Sequence, residues 1–581
     1  MSSIVVPTWQ SVSQTGELPA GMSLLKEDRT FKIVQSRDII EEKTGKRRMR
    51  LTGIIQKADA YNENGRIYSN PVLSEAVGAI QSAVQARRVM GEFDHPCLTS
   101  SDFRVLTIDG WKDFADLKIG DVVYSRVNGM MVESKINNII NEPYNGKSYK
   151  LKGRHIDVQF TAPHKIVMDT RGDGLHVSKQ IESTIGEIFE NRSKFNKCRI
   201  PRTAEWGGIN NDIYTISGIQ EKSLKCSKNC FDSNIVEDIN IDMKIFVSFL
   251  GLYLAEGYIT TGNDGYYGVG ISQIKDDYKD NIRELLEQTP FVWREHDNGW
   301  ETTDIRLYRF LEKLGNKYTK YIPNDIKTLD SPYLYELVRW FQIGDGRQKH
   351  DRSNVFSVSK KLIDDLHECW IKSGGCCYLT TIISKSDYEF AGHIIKTENK
   401  KPLYQLTLSN TSGIYVDDRF LKIDESRHDG NIYCITTEHG NFYMEHKGFS
   451  YWTGNCDAKI HMDRVSHLMT KIWMEDKNVL GELEVIEDMP CGQMLAALVR
   501  AGVTVGISSR GIGDMKPVMT ESMQEAYEVL PGYRFVTWDT VAEPSVKEAE
   551  LSVMESKQRN LTQKSGAEKA LLGALGIYLK G

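Results

Sequence analysis

The residues with the clearest chemical potential stand at the two ends of a long internal stretch. Cys97 follows Pro96 at one end, and Asn455 is followed directly by Cys456 at the other. The Cys97 thiol can attack the carbonyl of Pro96 to form a thioester, and the Cys456 thiol can take over that acyl group. The side-chain amide of Asn455 can then cyclise and release Cys456, after which an S-to-N shift leaves a peptide bond. Because a free thiol has a pKa near ~8.5, neighbouring groups must help to deprotonate it.

Two blocks inside this stretch supply groups of the required kind. Thr161 and His164 lie in the sequence Thr-Ala-Pro-His, and Cys434 lies in Tyr-Cys-Ile-Thr-Thr. Together with the terminal Cys and Asn, these blocks resemble those of inteins. The resemblance implies that Thr161 and His164 hydrogen-bond the scissile amide and protonate its nitrogen. It also implies that Cys434 assists the thiol steps and that the stretch folds as an all-β Hint domain.

One position departs from the intein pattern. Most inteins have His immediately before the terminal Asn, whereas this chain has Gly454. His439 could perform that role, His446 could perform it, or the site could work without such a residue. The sequence leaves these alternatives open.

A second pattern occurs twice in the middle of the chain. The apolar segments 249–258 and 337–346 each predict a helix that ends in a small residue, an acid and Gly. They resemble the paired motifs of LAGLIDADG homing endonucleases, whose small residues let the two helices pack closely. The resemblance implies that Glu256 and Asp345 lie side by side and hold Mg²⁺, and that Lys320 belongs to the catalytic-lysine block. It also implies strands that enter the major groove of double-stranded DNA, while a degenerate nuclease stays an alternative.

The flanking segments, residues 1–96 and 456–581, together have 222 residues, which is the length of one domain. Apolar residues at helical spacing after Asn70 and Pro71 predict a helix that Asn70 caps. Three motifs stand out in these segments: Gly-Glu-x-x-His-Pro at 91–96, Gly-Ile-Ser-Ser-Arg-Gly at 506–511, and Asp539 in a further strand-like run. Their combination resembles the prohead core protease of T-even-type phages.

The resemblance to the prohead core protease implies a serine endopeptidase. His95 is expected as general base, Ser508 as nucleophile, and Asp539 as the carboxylate that orients the imidazole. Because adjacent residues of a strand face opposite sides, only one of Ser508 and Ser509 can address the histidine, and Ser509 is the alternative nucleophile. Glu543 could replace Asp539.

The same resemblance bears on the oxyanion, the substrates and the rival functions. Arg510 or backbone N–H groups could stabilise the oxyanion. The family suggests phage scaffold and capsid proteins as substrates, cut after Glu. The rivals are a non-proteolytic scaffold or core protein bearing the same intein, and an autoprocessing endonuclease whose flanks have no enzymatic role.

Composition sets broad limits on the whole chain. With 581 residues, a net charge of −6 and 40% hydrophobic residues, the sequence is typical of a soluble protein with about three or four domains. Its charge balance does not by itself indicate nucleic-acid binding. Free thiols suit a reducing compartment, and the Cys226–Cys230 spacing lacks a second pair, so no zinc site is predicted. We expect no signal peptide or membrane span, and hence a location in the host cell cytoplasm, then in the prohead interior.

The predicted architecture is therefore multidomain: an α+β protease host, split by an all-β Hint domain that carries an α/β LAGLIDADG domain. Mg²⁺ is the only cofactor expected, and it belongs to the endonuclease. The oligomeric state is left open. The predicted segments are 1–96 for the first part of the protease, 97–190 for the first half of the splicing domain, 191–240 for a linker or accessory segment, 241–385 for the endonuclease, 386–455 for the second half of the splicing domain, and 456–581 for the rest of the protease.

Overall fold

The computed structural model describes most of the chain. Six of the residues singled out above lie outside the described parts: His95, Pro96, Cys226, Cys230, Cys456 and Glu543. The described residues are 23–30, 32–40, 47–61, 66–92, 97–170, 179–222, 233–261, 267–273, 278–349, 352–383, 388–390, 393–395, 401–455, 460, 462–503, 505–519 and 525–541.

The described part of the segment before Cys97 contains one long helix, α1. Its predicted apolar positions are all buried, but Ser69 is the N-cap and the helix begins at Asn70, one residue earlier than predicted. The carboxylate of Asp59 accepts the Asn70 backbone N–H at 3.0 Å, which satisfies one free donor of the first turn. The elements are β1 (Ser23–Thr30), β2 (Lys32–Ile40), β3 (Arg47–Lys57), β4 (Arg66–Tyr68), α1 (Asn70–Gln85) and β5 (Met90–Glu92).

From Cys97 to residue 222 the chain is mainly strands. Short polar–apolar alternation separated by turns favours strands here, as the sequence predicts. The elements are β6 (Phe103–Thr107), β7 (Gly110–Asp113), β8 (Val122–Val127), β9 (Met130–Gly153), β10 (Ile156–Thr161), β11 (Lys165–Asp169), β12 (Gln180–Thr184), α2 (Ile185–Glu190), α3 (Arg192–Phe195), β13 (Arg199–Pro201), β14 (Ile213–Ile216) and β15 (Ile219–Lys222), with a 3₁₀ turn at Phe114–Asp116.

The middle of the chain alternates helices with strands. One strand runs from Arg352 to Ser357 and ends before Ser359, because Ser359 caps the following helix by accepting from the Leu362 N–H. The elements are β16 (Ser233–Val236), β17 (Ile239–Asp242), α4 (Met243–Glu256), β18 (Gly257–Thr261), β19 (Tyr267–Ser272), α5 (Lys279–Glu287), β20 (Arg294–His296), β21 (Gly299–Thr302), α6 (Ile305–Glu312), α7 (Asn324–Lys327), α8 (Ser331–Asp345), β22 (Gly346–Lys349), β23 (Arg352–Ser357), α9 (Lys360–Lys372), β24 (Cys376–Ile382), β25 (Tyr388–Phe390) and β26 (His393–Ile395).

The described residues from 401 to 541 return to strands, with one helix among them. The elements are β27 (Leu403–Ser409), β28 (Gly413–Tyr415), β29 (Leu421–Thr437), β30 (Asn441–His446), β31 (Phe449–Gly454), a 3₁₀ turn at Met462–Arg464, β32 (Val465–Glu475), β33 (Asn478–Val485), α10 (Pro490–Arg500), β34 (Gly506–Gly513), β35 (Met515–Met519), β36 (Glu525–Val529) and β37 (Arg534–Val541).

The two flanking segments fold together. One sheet has the order β2-β3-β33-β32-β5, a second has β1-β34-β37, and a third has β35-β36-β4. Each of the three therefore takes strands from both sides of the long internal stretch. Strand β5 pairs antiparallel with β32, with Met90 opposite Leu468 and Glu92 opposite Val465. One hydrophobic core, which includes α1, β3, β33 and β37, joins the segments into a single unit.

The described residues of the internal stretch form two large hydrophobic cores and one smaller cluster, which includes Tyr443 and Trp452. One large core contains Cys97, Cys434 and the long antiparallel pair β9–β29; the other contains α4, α8 and α9. A twelve-stranded sheet continues from β10 through β30 and β31 to β24, β27 and β22, so it crosses the predicted boundary at residue 386. The predicted linker 191–240 is also integrated, because β13 pairs with both β11 and β28.

Helix α9 connects these two cores. The His367 imidazole hydrogen-bonds the Ser450 hydroxyl of β31 at 3.2 Å and stacks on Trp111 at 4.5 Å. The Lys372 ammonium lies 4.7 Å from the centre of the Tyr124 ring and pairs with Glu368. Buried polar and charged groups need such partners, so these contacts define how α9 packs against the two cores. Among the helices of the described segments, none has the length and apolar character that crossing a membrane would require.

Candidate splicing, protease and nuclease sites

Cys97 is completely buried, and its backbone is held by Thr161. The Cys97 N–H donates to Thr161 Oγ1 at 2.9 Å, and the Thr161 N–H donates to the Cys97 carbonyl at 3.0 Å. The following residue, Leu98, exchanges two backbone hydrogen bonds with Tyr433 of β29, each 2.8 Å long. The nitrogen that Thr161 contacts is the one that must leave when the preceding peptide bond is broken. The hydroxyl is therefore in position to polarise that bond.

His164 lies on the same turn and faces the other end of the stretch. Its Nε2 is 2.8 Å from the Thr453 hydroxyl, and its ring stacks on Phe160 at 4.0 Å. Burial lowers the pKa of His164 to about 3, so the imidazole is neutral near pH 7. Within the described residues its Nδ1 has no partner, which leaves that nitrogen available to a reacting group.

Asn455 is buried directly after β31. Its backbone N–H donates to the Gly440 carbonyl at 2.9 Å, and its side-chain Nδ2 donates to Thr437 Oγ1 at 3.0 Å. Gly454 is packed against Lys165, where an added Cβ would lie 2.7 Å from the lysine Cβ and 2.8 Å from its carbonyl oxygen. The backbone thus leaves no room for a histidine at residue 454.

The two histidines considered as substitutes do not contact Asn455. His446 lies at the opposite end of the β30–β31 hairpin, where it pairs with Phe449, whereas Asn441 pairs with Gly454. Its ring nitrogens bond Asp102 at 2.9 Å and the Asp157 carbonyl at 2.8 Å. His439 is exposed. The predicted role of His446 is therefore wrong, because five residues of extended strand, about 16 Å, separate it from the junction.

Cys434 is buried in the core that contains Cys97. Its thiol donates to the Ile435 carbonyl at 3.4 Å, and it is a free cysteine. The role of Cys434 in assisting the thiol steps stays a prediction.

Helices α4 and α8 pack against each other through glycines. A Cβ on Gly251 would lie 2.2 Å from the Leu337 carbonyl oxygen, and one on Gly344 would lie 2.9 Å from the Glu256 Cγ. The two helices end at Glu256 and Asp345, as predicted. The close approach brings both carboxylates to one end of the helix pair, beside two negative helix C-termini.

Lys320 lies under this acidic end, but its contacts differ from those of a free catalytic base. Its ammonium donates to the carbonyls of Tyr253, Leu254 and Gly257 at 2.8–3.1 Å, so all three hydrogens are used. Burial lowers the pKa of Lys320 to about 8, although Asp345 and Glu256 both act to raise it. The lysine therefore caps the C-terminus of α4 and supports the position of Glu256.

The acidic pair fits a hard divalent cation. Mg²⁺ commonly binds one or two carboxylates and completes its octahedron with water and substrate phosphates. Among the described residues no cluster of three or more His, Cys, Asp or Glu side chains could enclose a metal ion by itself. A pair of carboxylates leaves the other coordination positions to water and substrate phosphates. This arrangement is consistent with Mg²⁺ and does not suggest a structural metal site.

In the flanking unit, Ser508 and Ser509 occupy the central strand β34. Ser508 lies directly opposite Asp539 of β37, and Ser509 lies opposite Trp538. Paired residues share a face, so Ser508 is on the face of Asp539 and Arg510, while Ser509 is on the face of Trp538, which belongs to the hydrophobic core. Both hydroxyls are buried and lack a hydrogen-bond partner within the described residues. The register favours Ser508 as nucleophile.

Arg510 and Asp539 form a buried ion pair on the face of Ser508. The Arg510 Nη2 donates to Asp539 Oδ1 at 2.6 Å and also lies 3.0 Å from Glu92 Oε2. Asp539 Oδ1 additionally accepts the Glu92 backbone N–H at 2.9 Å. Two carboxylates thus neutralise the charge of Arg510 in this arrangement, and its role at the oxyanion stays an alternative to that of backbone N–H groups. The cluster fixes β5, whose last residue precedes His95 by three positions.

The sequence interpretation missed His467 of β32. Its Nε2 is 3.0 Å from the Trp538 carbonyl, and its Nδ1 is 2.9 Å from the Ser466 hydroxyl. Burial lowers the pKa of His467 to about 4, although Asp539 acts to raise it. An added Cβ on Gly91 would lie 2.2 Å from the His467 Nε2, which explains a glycine there. A single histidine inside a strand carries no sequence signal that separates it from the rest of the core.

Part of the second flank is similar to a known family of proteases. Residues 455–558 match the family described as "Prohead core protein serine protease". The bacteriophage T4 capsid assembly protease, gp21, is a solved structure similar to this chain, with 29% identity over 15% of this chain and 52% of that one, at a TM-score of 0.13. A variant of the homing endonuclease I-DmoI, solved in complex with its target DNA and manganese, matches with 15% identity over 29% of this chain and 87% of that one, at a TM-score of 0.21.

Two curated relatives have unrelated names. An ATP-dependent Clp protease proteolytic subunit from Chlamydomonas moewusii is 22% identical over 292 residues, which cover 48% of this chain and 28% of the relative. A DNA-directed RNA polymerase subunit beta section from Stigeoclonium helveticum is 21% identical over 411 residues, which cover 62% of this chain and 36% of the relative. The chain thus spans about a third of the length of these relatives.

Proposed function

We propose that the chain is the precursor of a prohead-type serine endopeptidase from which residues 97–455 remove themselves as an intein. The single observation that carries the splicing part is the turn at residues 161–165. Thr161 contacts the nitrogen of Cys97, whereas His164 and Lys165 contact Thr453 and Gly454 at the other end. One short segment therefore touches both junctions, which is what joining the two flanks requires.

The chemistry follows from these contacts. The Cys97 thiol attacks the Pro96 carbonyl, with Thr161 bonded to the leaving nitrogen and the neutral His164 as proton carrier. The acyl group passes to the Cys456 thiol, and Asn455 then cyclises to free Cys456. The unrelated names of the two curated relatives are expected if the shared stretch is an insertion and not a host domain.

Mass spectrometry of the expressed full chain tests this function. Splicing gives two products, one of them the 222-residue host in which Pro96 is bonded to Cys456. An intact chain, or separate flanks without a joined product, would contradict the splicing function.

For the host we propose proteolysis of phage scaffold and capsid proteins within the prohead, with Ser508 as nucleophile and His95 as base. The matching family profile and the register of Ser508 support this function. Glu92 is fixed to Asp539 beside Ser508, and His95 is only three residues further along the chain. Three residues span at most about 10 Å, so the length of the chain permits the His95 imidazole to approach the serine. Asp539 is then shared between Arg510 and any histidine that it orients.

For the internal domain we propose site-specific cleavage of double-stranded DNA. Mg²⁺, when bound at Glu256 and Asp345, would supply charge stabilisation and an activated water for phosphodiester hydrolysis. The chain's own contribution is the glycine-mediated contact of α4 and α8, which holds both carboxylates together. The target would be the uninterrupted gene around the codons for Pro96 and Cys456.

Glu256→Gln or Asp345→Asn should abolish this cleavage, by about a hundredfold or more, while splicing continues. Each variant keeps the side-chain shape but removes a charge that the metal needs. The measurement is cleavage of a DNA fragment carrying the uninterrupted site, with Mg²⁺. Glu284→Gln is a matched control, since Glu284 is exposed on α5 and belongs to neither α4 nor α8. If the unmodified chain leaves the fragment intact, the nuclease is degenerate or misassigned.

A further inference from the structure

The hydroxyl of Thr437 has an unusual position at the second junction. This last residue of β29 is buried, and its Oγ1 donates to the Asn441 carbonyl at 3.0 Å. A hydroxyl has one hydrogen, so the bond to Asn455 at 3.0 Å can only be accepted from that residue. The amide nitrogen of Asn455, and not its oxygen, must therefore face Thr437.

Asn441 holds Thr437 in place, because every polar group of its side chain is used. Its Oδ1 accepts the Arg126 N–H at 2.7 Å, and its Nδ2 donates to the carbonyls of Arg126 and His439, both at 3.0 Å. Its own carbonyl also accepts from the Ser125 hydroxyl at 2.5 Å. A side chain fixed by this many bonds gives the Thr437 hydroxyl one orientation.

Asn455 is consequently held at two points. The Gly440 carbonyl fixes its backbone nitrogen, and Thr437 fixes its side-chain nitrogen. The remaining amide oxygen, Oδ1, is buried without a partner among the described residues. The residue before Asn455 cannot contribute a side chain, since Gly454 is packed against Lys165. Orientation of the amide must therefore come from elsewhere in the fold.

We propose that Thr437 orients the Asn455 amide for cyclisation, in the role that a histidine before the asparagine would otherwise have; the proposal rests on the splicing function. In this step a bond forms between Asn455 Nδ2 and the main-chain carbonyl carbon of Asn455. The bond from that carbon to the Cys456 nitrogen breaks. Nδ2 loses one proton and the Cys456 nitrogen gains one, which leaves a succinimide and a free amine.

Thr437→Val tests the proposal because it removes the hydroxyl at nearly constant volume. Thr436→Val is the matched control, since the Thr436 hydroxyl is also buried but has no partner in the described parts of the chain. The full chain is expressed, and mass spectrometry follows ligated product, branched intermediate and thiol-induced release of the first flank. We expect Thr437→Val to accumulate the branched intermediate and to ligate about tenfold more slowly or worse. Thiol-induced release should be unchanged, and Thr437→Ser should restore ligation.

The possible outcomes distinguish the role of Thr437 from the splicing function itself. Ligation by Thr437→Val at the rate of Thr436→Val would overturn the role of Thr437. If Thr437→Val also loses thiol-induced release, Thr437→Ser decides: restored ligation supports the proposal, and a Ser variant no better than Val overturns it. An unmodified chain that makes no ligated product would instead overturn the splicing function.

Discussion

A Cys97→Ala chain is expected to give no ligated product and no thiol-sensitive release of its first flank. The sulfur next to the Pro96 carbonyl belongs to Cys97, whose backbone is fixed by Thr161, and the following residue, Leu98, is held between β10 and β29. Asn455→Ala should instead stop later, at the branched intermediate. Mass spectrometry of the expressed chains measures both effects.

Cys198→Ala provides the matched control for Cys97→Ala. Both residues are buried free cysteines in the same hydrophobic core, so each substitution removes one buried sulfur. The loss of packing should cost the two variants similar stability, about 1–2 kcal/mol. If Cys198→Ala blocked ligation as completely as Cys97→Ala, the effect would be one of folding, and the assignment of Cys97 would fall.

Ser508→Ala is expected to remove proteolysis by the spliced host, by about a thousandfold or more. Its hydroxyl is buried without a described partner on the face that carries Asp539, so its loss should not destabilise the strand. The measurement is cleavage of co-expressed scaffold and capsid proteins by the product of splicing.

Ser509→Ala is the corresponding control. It removes an equally buried hydroxyl, but from the face of β34 that carries Trp538. Its proteolysis should stay near that of the unmodified host. Loss of cleavage in Ser509→Ala with retention in Ser508→Ala would reverse the assignment, and unchanged cleavage in both would exclude both serines as the nucleophile. A host that cleaves neither scaffold nor capsid protein would favour a non-proteolytic scaffold protein.

Local sequence signals predicted the parts of these sites that depend on one element. The ends of α4 and α8 followed from an apolar run closed by an acid and a glycine. The same pattern placed Glu256 and Asp345, because helix periodicity and the small residues Gly251 and Gly344 determine how two such helices pack. The contact of Thr161 with Cys97 agrees with what the intein resemblance implied.

The sequence could not predict features that depend on distant partners. Lys320 caps a helix that ends 64 residues earlier along the chain, and Arg510 is neutralised by Glu92 from the other side of the insertion. Gly454 looked like a missing histidine, whereas its backbone lies against Lys165 with no room for a side chain. Such contacts arise only once the strands are paired, and no local pattern encodes them.

The antiparallel pairing of β5 with β32 determines what excision does to the host. The insertion occupies the connection of this strand pair, and removal of its 359 residues leaves a 13-residue connection, 93–96 joined to 456–464. For a flexible chain, closing the longer loop would cost about 3 kcal/mol more entropy than closing the shorter one. Here the insertion is folded, and Cys97 and Thr453, near its two ends, both contact the turn at 161–165. Most of that cost is therefore absent before excision, and the host sheets need no new strand pairing after it.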